Sequence, residues 1–156
     1  MNNATFLYSF LAVLAGVAVP ILAAINSAFG QTINNVHWAS LTLCVVAFIT
    51  ILIITIASGV SMPSFSTFQQ ASWWHLLGGC FFAVYVVLIT FVAPKIGLAN
   101  AIIFVVVAQM FTAVTIDHFG LLGAAVQQLD WKRTLGIAFL IAGVALARSV
   151  PSGAGN

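Results

Sequence analysis

Residues 85–120 read YVVLITFVAPKIGLANAIIFVVVAQMFTAVTIDHFG. Two apolar runs lie either side of the short break Pro94-Lys95-Ile96-Gly97, and the second closes at Asp117-His118. A helix that crosses a bilayer needs about 20 mostly apolar residues. The run after Gly97 meets this between about Leu98 and Ile116. The run before Pro94 meets it when followed back to Trp73-Trp74, a pair suited to an aromatic belt at the membrane surface. These are two spanning helices joined by a tight turn, and the rest of the chain has to be compatible with them.

It is. Upstream, spans are expected over 5–28, interrupted by the polar stretch Gln31 to Asn35, and over 38–57, followed by an uncharged Ser/Gly/Pro loop from Ser58 to Ser72. The third and fourth spans are 73–92 and 98–116. Downstream, the polar connection Asp117 to Arg133 leads to a fifth span over 134–150 and a small-residue tail. Strands are excluded, because open strands leave backbone groups unpaired in hydrocarbon and barrel strands are about half this length. The stretch before Phe6 lacks the basic region of a secretory signal, so the first span is read as a retained helix. The fold expected is therefore all-α, a single polytopic domain of five transmembrane helices.

Composition carries the same message. Of 156 residues, 63% are hydrophobic and 4% are charged, with a mean hydropathy of +1.20. A soluble domain carries about 25% charged residues. The net charge of +2 and the single basic pair Lys132-Arg133 give no footprint for nucleic acid. Cys44 and Cys80 lie inside apolar runs with no cysteine or histidine at ligand spacing, so both read as small packed hydrophobes. No metal constellation, nucleotide loop or nucleophile-and-base arrangement occurs. An enzyme and an ATP-driven pump are not expected, and no cofactor is called for.

Five spans put the termini on opposite sides. Lys132 and Arg133 then share the side of the N-terminus, while Lys95 and Arg148 share the other. Orientation normally follows an excess of Lys and Arg in cytoplasmic loops. A two-against-two score supplies no excess, which leads us to expect insertion both ways and an antiparallel pair of copies. The alternative is a single orientation set by the first helix or a partner. Small residues at four-residue spacing (Gly16, Pro20, Ala24, Ala28) and on the last span (Gly136, Gly143, Ala147) suit close helix packing in lipid.

Residues 85–120, with LGIAFLIAGVALAR at 135–148 and AGVAVPILAAINSAFGQ at 15–31, resemble the drug/metabolite transporter superfamily. In particular they resemble its small five-helix YdcZ-like branch of inner-membrane exporters, with Pro20 and Asn26 in matching places. The resemblance implies one half of an inverted-repeat, ten-helix transporter, completed by an antiparallel homodimer. It also implies a multi-pass protein of the bacterial inner membrane, a small-molecule substrate, and a site between the halves near the bilayer midplane, as inverted-repeat transporters arrange it. The small multidrug exporters are similar in the PKIGLANAI turn, but their first-helix glutamate has no counterpart here.

Several residues stand out within or beside the spans. Gln109 lies deep in the fourth, where an unpaired amide costs kilocalories, so it reads as a substrate ligand or as interhelical glue. Thr112 carries the same pair of readings, as does Asn26, although Asn26 lies closer to a helix end, where a cap or a loop contact suffices. Tyr85 is deep enough that its hydroxyl needs a partner. It shares a helical face with Gly78 and Trp74, an aromatic wall suited to organic or cationic ligands, although Trp74 also reads as an interface anchor. Asn100, Phe104 and Phe111 offer a second wall. Asp117 and His118 are candidates for proton coupling or a simple helix-end pair, and Pro20 is a candidate bend in the first helix. The function expected is a secondary exporter of small organic molecules working by alternating access. A passive channel of the same architecture and a non-transporting membrane subunit are the alternatives.

Overall fold

The structure, a computed structural model, describes residues 3–148. Among them it forms six α-helices and no strand: α1 (Asn3–Thr32), α2 (Val36–Ala57), α3 (Phe65–Gln69), α4 (Leu77–Ile96), α5 (Leu98–Phe119) and α6 (Trp131–Arg148). Four stretches are long and apolar enough to cross a membrane, namely Ala4–Thr32, Val36–Ala57, Trp73–Ile96 and Leu98–Phe119. α6 forms where the fifth span is expected but begins three residues earlier. It therefore takes in Lys132 and Arg133, and with Arg148 its 18 residues hold three basic residues. The end of the expected span at Val150 lies outside the described residues.

The other boundaries move for local reasons. α1 runs on through the polar stretch, and the backbone of the turn takes up its last carbonyls: the Ile33 N–H donates to Phe29 and the Asn35 N–H to Gly30, each at 3.0 Å, and the Asn34 N–H to Gln31 at 3.1 Å. Its 30 residues span about 45 Å, longer than the roughly 30 Å hydrocarbon core, so its ends emerge or the helix tilts. α2 starts at Val36 because Asn35 caps it, its Oδ1 accepting the Trp38 N–H at 3.1 Å. α4 does not stop before Pro94. The ring sits in the last turn, where its missing N–H frees only the Thr90 carbonyl, and Gly97 (φ 86°) ends the helix instead. Trp73–Leu76 is a short 3₁₀ turn ahead of α4, and the Ser/Gly/Pro loop contains the five-residue α3.

The chain divides into two compact units, one up to Leu98 and one from Ala99 onward. In the first, α1, α2 and α4 pack on one another. Its core is small: Ala23, Ala39, Val86, Ile89 and Ala93 are buried. Small core residues let backbones approach closely, which is how helices associate in lipid. A close approach lies at Gly30, where an added Cβ would stand 3.2 Å from Thr90 Cγ2 and 3.5 Å from Ala39 Cβ. The outside is lined with large apolar side chains such as Ile25, Phe48 and Ile51. In water this surface would be untenable; in a bilayer it is ordinary.

Because Gly30 seats α1 against both neighbours, Gly30→Leu should lower stability by roughly 1–3 kcal/mol through overpacking. Gly79→Ala, at a site with nothing within 4 Å, should be neutral or slightly stabilising. Thermal melts of the two variants in the same detergent distinguish these outcomes.

Candidate functional site

The interior of the first unit is polar at one level. Asn26, Ser27, Ser40 and Thr90 are all buried, with Thr90 1% exposed. Thr90 Oγ1 donates its one hydrogen to the Val86 carbonyl, 2.7 Å away in its own helix. The hydroxyl oxygen is then left to accept, and Asn26 Nδ2 donates to it at 2.6 Å. This bond ties α1 to α4, 64 residues apart in sequence, beside the Gly30 contact. A buried amide and a buried hydroxyl satisfy each other where no water competes.

Five residues before Thr90 on α4, about 7.5 Å along the axis, stands Tyr85. It is half-buried, and its hydroxyl is shielded with no hydrogen-bond partner; Ser40 Oγ is in the same condition. Buried polar groups are almost always paired, so each exception needs an explanation. An apolar groove of about 350 Å³ lies between α1 and α2, lined by Leu22, Ile25, Phe29, Leu43 and Val46, with Asn26 also at its wall. Trp74 lies on the 3₁₀ turn and stacks on His75, ring centroids 3.8 Å apart. The four- and seven-residue spacing that aligned Trp74 with Gly78 and Tyr85 assumed an α-helix, whereas a 3₁₀ turn advances only three residues per turn. α1 is continuous through Pro20.

In the second unit, Gln109 is exposed on α5 and Asn100 is half-buried in its first turn. Thr112 is exposed, and its hydroxyl donates to the Ala108 carbonyl at 2.8 Å. Asp117 and His118, adjacent in sequence, turn to different partners. Asp117 Oδ2 lies 3.4 Å from Arg133 Nη1, an ion pair about two-fifths exposed on both sides. Arg133 Nη2 also donates to Gln127 Oε1 at 2.6 Å, and the Gln127 N–H donates to the Asp117 carbonyl at 2.8 Å. His118 Nδ1 accepts the Leu129 N–H at 3.2 Å. The connection thus folds back on the end of α5 through Gly120 (φ 61°). Beneath the ion pair a depression of about 390 Å³ is lined by Met110, Ala113, Val114, Gly136, Ile137 and Leu140.

Of the polar residues expected to matter, Asn26 is joined to another helix in the buried interior, and Asp117 to α6 by its exposed ion pair with Arg133. Thr90, the partner of Asn26, and Ser40 were not legible as site residues. A threonine in an apolar run commonly bonds its own helix, as Thr42, Thr50, Thr55 and Thr115 do here, so it reads as neutral in sequence. The only available signal was depth within a span.

A double-mutant cycle of Asn26→Leu and Thr90→Val should give a coupling energy of about 0.6 kcal/mol, and no more than roughly 1.7, the range for hydrogen bonds between membrane helices. Reversible unfolding in mixed micelles measures it.

Residues 7–146 match the family model described as "Putative inner membrane exporter, YdcZ". No curated protein and no solved structure matches the chain. The match takes in three of the four apolar spans whole, all but the first three residues of the other, and most of α6, and agrees with a surface built for lipid. The chain belongs to the YdcZ family of inner-membrane exporters and is a multi-pass membrane protein.

Proposed function

We propose that the protein is a secondary transporter that exports small organic molecules by alternating access, as an antiparallel homodimer of five-span chains. The observation that carries the substrate site is the Tyr85 hydroxyl, buried and unpartnered inside a membrane span. A hydroxyl kept there without a bond serves a visiting polar atom better than it serves the fold. Asn26 lies on the neighbouring helix with its amide N–H already given to Thr90, which leaves its carbonyl oxygen as the further acceptor. Gln109, Asn100, Thr112 and Trp74 are placed as secondary candidates, Thr112 with its hydroxyl already engaged.

Three features support the dimer. The four apolar spans are between 6% and 22% buried within one chain, so one copy encloses little of itself. Lys and Arg are balanced between the two sides. And α6 is suited to be the fifth span: Lys132 and Arg133 lie in its first turn and Arg148 is its last residue, leaving an uncharged stretch between them. The whole helix is about 27 Å long, close to the hydrocarbon thickness, with about 21 Å of it uncharged, and long side chains such as those of Lys132 and Arg133 at its start can reach the interface. Asp117 and His118, at the end of α5, are the candidates for coupling transport to protons.

Two measurements test this reading. In a background free of Cys44 and Cys80, a cysteine at either terminus should be labelled from both sides of native membranes; labelling of each terminus from one side alone would rule out dual insertion. In a thermal-shift screen of small organic compounds, Tyr85→Phe should keep or raise the melting temperature, since it removes an unsatisfied buried group, yet weaken the compounds that stabilise the parent by roughly two- to tenfold. Saturable exchange of such a compound in proteoliposomes separates a transporter from a channel.

A further inference from the structure

The end of the first unit where α1 closes, α2 opens and α4 closes has a chemistry of its own. Up to Leu98 the sequence holds two histidines, His37 and His75, a single Lys or Arg, Lys95, and no Asp or Glu. Beside Lys95 a cavity of about 270 Å³ is lined by Ser27, Gln31, Asn34, Asn35, Thr90 and Phe91. The Lys95 ammonium rests 4.5 Å above the centre of the Phe91 ring. This cation–π contact holds the charge at the cavity wall without neutralising it.

The amides around it are biased toward donation. Asn35 spends its carbonyl oxygen on the Trp38 N–H, which leaves its Nδ2 to donate. Gln31 Nε2 makes one long bond to the Ser27 carbonyl and keeps a second N–H. Asn34 is exposed and held at φ 51° by the turn. A cation and several amide donors, with no carboxylate in the unit, make a site for an anion. Its place along the helix axis indicates which anion. The polar end of α1, the exposed Trp38 and Lys95 mark the membrane–water boundary, the level at which lipid phosphates lie and at which basic pockets between helices bind head groups.

We infer that Lys95, with the amides of Gln31, Asn34 and Asn35, binds a phosphate group at the membrane surface, either the head group of an anionic phospholipid or a free phosphate. The site lies apart from Tyr85 and does not depend on what the protein transports.

The full-length protein in phosphatidylcholine nanodiscs is titrated with phosphatidylglycerol and, separately, with inorganic phosphate, with thermal stability as the readout. Wild type should be stabilised by at least one of them. Stabilisation by phosphatidylglycerol alone assigns the lipid, and stabilisation by inorganic phosphate assigns a soluble anion. Lys95→Gln should weaken the effect about fivefold, the contribution of one basic residue near a membrane surface. Lys95→Arg should retain it, and Lys132→Gln, which removes the same charge at another helix end, should weaken it clearly less. Should Lys95→Gln fail to fold, Asn34→Ala serves in its place and should weaken binding less. No response to either anion, or equal losses in Lys95→Gln and Lys132→Gln, would overturn the site.

Discussion

In hydrocarbon, a polar group without a partner is a standing cost, and most of this molecule is arranged around that constraint. Its backbone is helical through the spans, so peptide groups bond within each segment. Its threonines mostly turn to their own carbonyls. The one long-range side-chain bond buried among the described helices, Asn26 to Thr90, forms where Gly30 lets α1 approach α4 and α2. Without that approach the amide would have no partner, and without the amide the small residues around it would be packing alone. The bond and the contact depend on each other.

Against that background the exceptions stand out. Tyr85 and Ser40 hide hydroxyl groups that no neighbour satisfies. One explanation is structural tolerance, and the other is use. In a member of an exporter family the second is the stronger reading for Tyr85, because a tyrosine offers both an aromatic wall and a polar tip. For Ser40 the structure shows burial and no more.

Much of the fold was legible in sequence because hydrophobic length is a strong signal. The break at Pro94 to Gly97, the Asn35 boundary and the uncharged loop all fall close to where the residues place them. What was not legible came from short-range chemistry. Backbone bonds from Ile33, Asn34 and Asn35 closed α1 only after the polar stretch had begun, and Gly97 rather than Pro94 set the end of α4. Two basic residues were drawn into the start of α6. The site was less legible still. Gln109 attracts notice as an amide in an apolar run, whereas Thr90 looks unremarkable until α1 is laid against α4. Pairing across helices is a property of the packed unit, and hydropathy does not encode it.

On the transport proposal, hydrocarbon covers the outer faces, and the Tyr85 hydroxyl, shielded within one copy, opens during transport to a space that water and solute reach. Nitroxide labels placed singly at Ile51 and at Tyr85, with collision rates measured against oxygen and against a water-soluble nickel chelate in nanodiscs, test it directly. The expected result is oxygen-dominated relaxation at Ile51 and access of the nickel reagent at Tyr85. Oxygen-dominated relaxation at both positions, with no nickel access at Tyr85, would contradict it.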